Sequence, residues 1–148
     1  MAAKPNVEPI DEEVTFQTEQ LDARALITRT DLRGIITYAS KAYRQMTKYS
    51  KEELLYKPHS IVRHPDMPEA AFREMWNTIK QNVAWEGYVK NLRKDGKFYW
   101  VIVHIAPKFD ENKNIIGYIA SRKVPERVKI KQMEKLYKEM REAEAKDT

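Results

Sequence analysis

The part of the chain that most restricts its fold is residues 84–124. Three strand-like runs, "AWEGYVKNL", "KFYWVIVHIAP" and "IIGYIASRKV", follow one another there with two short breaks. Each run is rich in β-branched and aromatic residues. The breaks, Arg93-Lys94-Asp95-Gly96 and "ENKN", carry turn residues. Runs separated by such turns pair as antiparallel strands. A further hairpin is expected earlier, where "ALITRTDLRGIITYAS" places two short β-rich runs around Asp31 to Gly34. Five antiparallel strands make one sheet, and the rest of the chain must bury at least one of its faces.

That cover comes from the stretch between the strand groups. Ser40 is placed to cap a helix over "KAYRQMTKY", and Ser50 with Glu53 has capping-box spacing before Pro58 ends the next helix. Residues 61–80 follow, "IVRHPDMPEAAFREMWNTIK", in which Ala71, Met75 and Ile79 recur at i+4 with Phe72 and Trp76 beside them. The broad apolar face predicts a packed helix, with Asp66 as its N-cap and Pro68 in its first turn. Residues 1–9 read as a lead-in and residues 10–21 as a short helix or cap. From Pro125 a charged helix is expected to about Ala145, with Ile130, Met133, Tyr137 and Met140 at 3-4-3 spacing. The order predicts an α+β domain whose short helices cover one sheet face and enclose a small-molecule cavity. With 148 residues, 42% of them hydrophobic, there is material for one compact core.

Charge and cysteine content narrow the function. The absence of cysteine excludes a disulfide framework, a thiolate metal site and a cysteine nucleophile. The net charge is +5, but the basic residues are interleaved with acids and no reader motif is present, so nucleic acid is not an expected partner. No apolar run approaches a membrane span, and the start, MAAKPNVEP, lacks the apolar stretch of a signal peptide. A cytoplasmic location is expected. His59, His64 and Asp66 match no standard metal-ligand spacing, so no metal is expected. No nucleotide fingerprint or catalytic dyad is visible, which argues against an enzyme.

The strings "VRHPDMPEAAFREMW", "AWEGYVKNLRKDGKFYWV" and "IIGYIASR" resemble the PAS domain of bacterial aerotaxis receptors of the Aer type. The resemblance covers roughly residues 22–124. It divides the chain into an N-terminal extension (1–21), a PAS sensory domain (22–124) and a C-terminal output or dimerisation helix (125–148). It implies a PAS fold and noncovalently bound FAD. It also implies a redox or oxygen (energy taxis) sensor that passes the state of the flavin to a chemoreceptor-like signalling partner. By matching positions, it implies cofactor contacts at Arg63, His64, Asp66, Trp76, Trp85 and Asn91. Related blue-light flavin PAS domains form a cysteine adduct, which this chain cannot. They also place a second Asn in the next strand, where Val101 stands here.

These residues fit the demands of FAD in chemical terms. Arg63 can hold phosphate oxygens in a bidentate fork. A helix start at Asp66 to Glu69 adds N–H groups and partial positive charge. His64 can stack or donate, and Asp66 caps the helix or anchors Arg63 or His64. Asn91 offers donor and acceptors to the imide edge of the flavin. A two-residue turn at Asp95-Gly96 pairs Asn91 with Trp100, whereas a three-residue loop pairs it with Val101. The second is preferred. It turns Tyr99, Val101, Val103 and Ile105 toward the cavity with Trp85, Gly87, Val89 and Asn91. Gly87 then gives a flat ring room, and His104 faces outward. Ser40 lies where a polar contact could reach the cofactor. Without the resemblance, the same residues read as an Asp-capped helix start, a loop-tying Arg–Asp pair and core tryptophans. Two other outcomes compete: a heme PAS oxygen sensor with His59 or His64 as axial ligand, and a cofactor-free PAS interaction module, paired as a homodimer.

Overall fold

The computed structural model describes residues 7–146, so most of the expected lead-in and the last two residues lie outside the described region. Five strands form one antiparallel sheet: β1 (Leu26–Thr30), β2 (Ile36–Ala39), β3 (Trp85–Leu92), β4 (Phe98–Phe109) and β5 (Ile115–Lys123). Their order across the sheet is β2-β1-β5-β4-β3. The turn chemistry explains the first hairpin. The Asp31 carboxylate accepts from the N–H groups of Arg33 and Ile35 at 2.8 and 3.0 Å, and Gly34 takes a φ of +83°. Few residues other than glycine adopt that angle cheaply.

In the β3–β4 hairpin the Arg93 N–H donates to the Lys97 carbonyl at 2.8 Å, leaving a three-residue loop, Lys94 to Gly96. The expected loop length is correct, but its centre lies at Asp95. Asn91 therefore pairs with Tyr99, and neither Val101 nor Trp100 stands opposite it. The error is two residues, and side chains alternate with period two. Every residue keeps its expected face.

The inner face of the sheet is covered by α1 (Lys41–Thr47), α2 (Lys51–Leu54), a 3-10 turn (His59–Val62) and α3 (Glu69–Ile79). Ser40 caps α1, and Ser50 with Glu53 closes a full capping box on α2. Asp66 does not cap α3. The N-cap position is Pro68, two residues later, and the Asp66 carboxylate is held by Lys90 Nζ at 2.8 Å. The segment before β1 is an extended cap, not a helix. Val14 N–H donates to the Phe98 carbonyl at 2.8 Å, and Phe98 N–H to the Glu12 carbonyl at 3.1 Å. Arg93, 3% exposed, clamps this cap to the hairpin by bonding both Glu19 and Asp95.

The C-terminal helix α4 (Arg127–Lys146) folds back on the opposite sheet face, so both faces carry a cover. Its stripe is the one visible in the sequence. Ile130 and Tyr137 are buried, and Met133 and Met140 pack beside them. Tyr137 stacks on Trp100 with ring centroids 6.2 Å apart, and its hydroxyl donates to the Tyr88 carbonyl at 2.6 Å. A helix like this draws most of its stability from packing its apolar face. It is held here by its own domain, and the stripe that suggested pairing is used within one chain. Among the described residues no helix is long and apolar enough to cross a membrane.

Candidate functional site

Between the inner sheet face, the 3-10 turn and α3 lies a cavity of about 250 Å³. Its walls are mostly apolar, with Phe72, Met75 and Trp76 from α3 facing Trp85 and Val89 of β3 and Val103 and Ile105 of β4. Of the residues expected at the site, Arg63, Trp76, Trp85 and Asn91 line this cavity, whereas His64 and Asp66 do not. The reason is local. Arg63 has extended backbone and bridges to Asn91 on the edge of β3. Successive side chains of an extended segment point to opposite sides. Arg63 therefore turns inward, and His64 turns to the far side of the sheet edge, against Phe98.

Three other expectations change. Gly87 does not make room for a ligand: the Trp85 ring lies over it, 2.4 Å from where a Cβ would stand. Tyr99 and Val101 face inward but are fully buried behind the cavity wall. Ser40 accepts from the N–H groups of Ile27 and Tyr43 at 3.1 and 3.2 Å, and it is a cap, not a wall residue. His104 lies outward and half-exposed beside Glu86, as expected.

The α3 N-terminus also differs from expectation. The Glu144 carboxylate, from the end of α4, accepts from the N–H groups of Glu69 and Ala70 at 3.1 and 2.8 Å. The first turn thus already holds an internal anion. Arg63 remains half-buried, its guanidinium over the Phe72 ring at 4.1 Å. Burial pulls its pKa down, against the opposing attraction of Glu69 and Glu144.

The sequence reading missed Arg122. It is 3% exposed and lines the cavity from β5. Its Nη2 donates to His59 Nε2 at 2.7 Å and to Thr28 Oγ1 at 3.1 Å, and the guanidinium lies 4.7 Å from the Tyr43 ring centre. Among the described residues no carboxylate stands within ion-pair distance of it. A buried cation without a counter-charge is costly. Nearby, Tyr43 and Tyr99 bury their hydroxyls with no hydrogen-bond partner among the described residues. The signal was present in the strand parity: Tyr118, Ala120 and Arg122 share one face of β5.

His59, inside the cavity wall, and His64, on the other side of the sheet edge, are both held toward the neutral form. Burial, and then Arg122, lower the His59 pKa to about 3. Burial and Lys90 lower that of His64 to about 4, with Asp66 opposing. His64 Nδ1 accepts from the Asp66 N–H at 3.0 Å, so it carries no proton there, and the carboxylate 3.9 Å away is not its ion-pair partner. Asp66 itself is raised by burial but lowered more strongly by Lys90. A histidine whose folded pKa lies below 6.5 binds its proton more readily when unfolded. Stability is therefore present above that value and is lost as the pH falls toward 4. Thermal melts across this interval should show that loss, and His64→Gln should make it shallower, with buried His59 supplying the remainder. A His64→Gln profile as steep as that of the parent would contradict the assignment.

The geometry suits a flat, mostly apolar ligand with polar atoms at its rim. At about 250 Å³ the cavity is slightly smaller than most drug-sized ligand sites, so a ring system fits inside and a longer tail extends beyond it. The buried Arg122 cation in the cavity wall supplies a polar group that an aromatic heterocycle can satisfy.

The comparisons with known proteins agree with this architecture. The profile of the PAS fold matches residues 36–122. The aerotaxis receptor of Escherichia coli K12 is 44% identical over 84% of this chain, which spans only 25% of the length of that receptor. The PAS domain of a protein from Colwellia psychrerythraea superposes with a TM-score of 0.63 at 25% identity, covering 70% of this chain and 87% of that one. A light-oxygen-voltage domain studied with a flavin analogue gives a TM-score of 0.66 over 80% of this chain and 88% of its own, and at 20% identity it shares the fold alone. With its sheet order, its inner cavity and a profile match over more than half its length, the chain belongs to the PAS family.

Proposed function

We propose that the cavity holds the ring of a noncovalent FAD, and that the chain is a redox- or oxygen-responsive sensor module, cytoplasmic in the cell, that reports to a chemoreceptor-like partner. The observation that carries this reading is Arg122, a buried cation in the cavity wall with no carboxylate beside it among the described residues. A ligand with an electron-rich edge relieves that cost. When bound, a flavin would supply reversible electron uptake, and Arg122 in the wall would favour the negative charge that reduction adds. The similarity to an aerotaxis receptor supports the same assignment.

Each wall residue has a role under this reading. Trp85, Val89 and Val103 exclude water from the faces of the ring. Asn91 offers an amide to its polar edge. Neutral His59 accepts from Arg122 and fixes the direction of its guanidinium. Arg63 meets the phosphate tail as it leaves the cavity. His64 and Asp66 are left out of the cofactor contacts and serve as struts between the α3 approach, β3 and α4. The heme alternative is weaker. His59 Nε2 is engaged by Arg122 at 2.7 Å, and His64 lies outside the cavity.

Cofactor released by heat from the purified protein should run as FAD on chromatography. Recovery of FMN alone would remove Arg63 from the phosphate role and leave the ring site standing.

A further inference from the structure

The far end of α4 lands on the short segment that carries Arg63. Arg141 donates to the Asp66 carbonyl, and Glu144 fills the first turn of α3 through the N–H groups of Glu69 and Ala70. Arg63 stands three residues before Asp66, in the cavity wall, and Glu144 is among the groups that support its charge against burial. The α3 N-terminus therefore holds the Glu144 carboxylate directly, and the Arg63 guanidinium, over the Phe72 ring of the same first turn, adds positive potential from farther off without an ion pair among the described residues. The near half of α4 is secured differently, by buried Ile130, by Tyr137 stacked on Trp100, and by Arg127 bonded to Glu13 at 2.9 Å. The helix thus has an apolar anchor at one end and an electrostatic catch at the other.

We propose that α4 is a strap whose last turns loosen when the anionic tail of a bound dinucleotide engages Arg63. This rests on the assignment of Arg63 to the phosphates. The phosphates bring negative charge near Glu144 and take up the cation that helps to hold it. The anchored half stays in place, so occupancy of the cavity is read out at residues 141–146. Coupling of this kind is reciprocal: the factor by which the dinucleotide weakens the strap equals the factor by which loosening the strap strengthens dinucleotide binding.

The test is hydrogen exchange on the full chain, alone and with riboflavin, FMN or FAD, which share one ring and carry tails of increasing charge. Exchange at residues 139–146, and at the amides of Glu69 and Ala70, should accelerate in the order riboflavin, FMN, FAD, while residues 127–137 stay protected. Glu144→Gln should bind FAD about two- to fivefold more tightly, the scale of a partly exposed charge pair, with riboflavin affinity unchanged. Glu142→Gln, on the exposed side of the same turn, should alter neither. Equal exchange with riboflavin and FAD, protection of the strap by FAD, or unchanged FAD affinity in Glu144→Gln overturns the strap and leaves the flavin reading intact. Failure of all three flavins to bind overturns both.

Discussion

Arg122→Met is expected to separate stability from binding by moving them in opposite directions. The guanidinium is 3% exposed and has no carboxylate partner among the described residues. Replacing a buried charge by an apolar side chain of similar volume is often neutral, or stabilising by about 1–4 kcal/mol. The side-chain partners left behind are not stranded, because Thr28 Oγ1 lies 3.1 Å from His59 Nε2 and the two satisfy each other; only the long 3.4 Å contact to the Leu26 carbonyl is lost. Flavin binding should weaken instead. A lost charge-assisted contact costs about 1.5–3 kcal/mol, or one to two decades in affinity. The His59 pKa should also rise, because Arg122 is one of the two causes that depress it. Urea unfolding of the stripped variant and flavin titration measure the two effects. A variant that loses stability and affinity together would make Arg122 a packing residue.

Arg63→Ala and Asn91→Ala should differ in which ligands they lose. Arg63 faces the cavity from beside the α3 approach, and Asn91 faces it from β3. If Arg63 meets the phosphate tail, Arg63→Ala lowers FAD affinity by about one to two decades and leaves riboflavin affinity unchanged. If Asn91 meets the ring, Asn91→Ala lowers both. Neither change should alter stability as strongly as it alters binding. Arg63 makes no side-chain ion pair within the described residues, and its main contact is with the Phe72 ring. Full flavin occupancy in both variants after dilution would assign the two residues to structure alone.

The sheet was legible in the sequence because its turns declare themselves. Asp31 and Gly34 form the first, and Arg93 to Lys97 with Gly96 at positive φ the second. The caps at Ser40 and Ser50 were legible for the same reason, since a cap bonds residues two or three positions away. Interactions across long separations were not. Nothing local says that Glu144 will occupy the α3 N-terminus, or that the α4 stripe will find Trp100 of its own sheet. The Arg63-His64-Asp66 cluster is divided by its own backbone. Contiguity suggested one site, but an extended backbone sends neighbours to opposite sides, and only Arg63 reaches the cavity. Arg122 was passed over because a charged residue near a strand end is usually exposed, although its parity with Tyr118 and Ala120 already placed it inside.

The claim on which the rest depends is that the cavity beside Arg122, Asn91 and Trp85 is a flavin site. The visible absorption spectrum of the purified full chain tests it most directly. The account predicts a yellow protein with flavin bands in the blue and near-ultraviolet that bleach on anaerobic reduction and return with air. A Soret band, or a colourless protein that stays colourless when incubated with FAD, would contradict it.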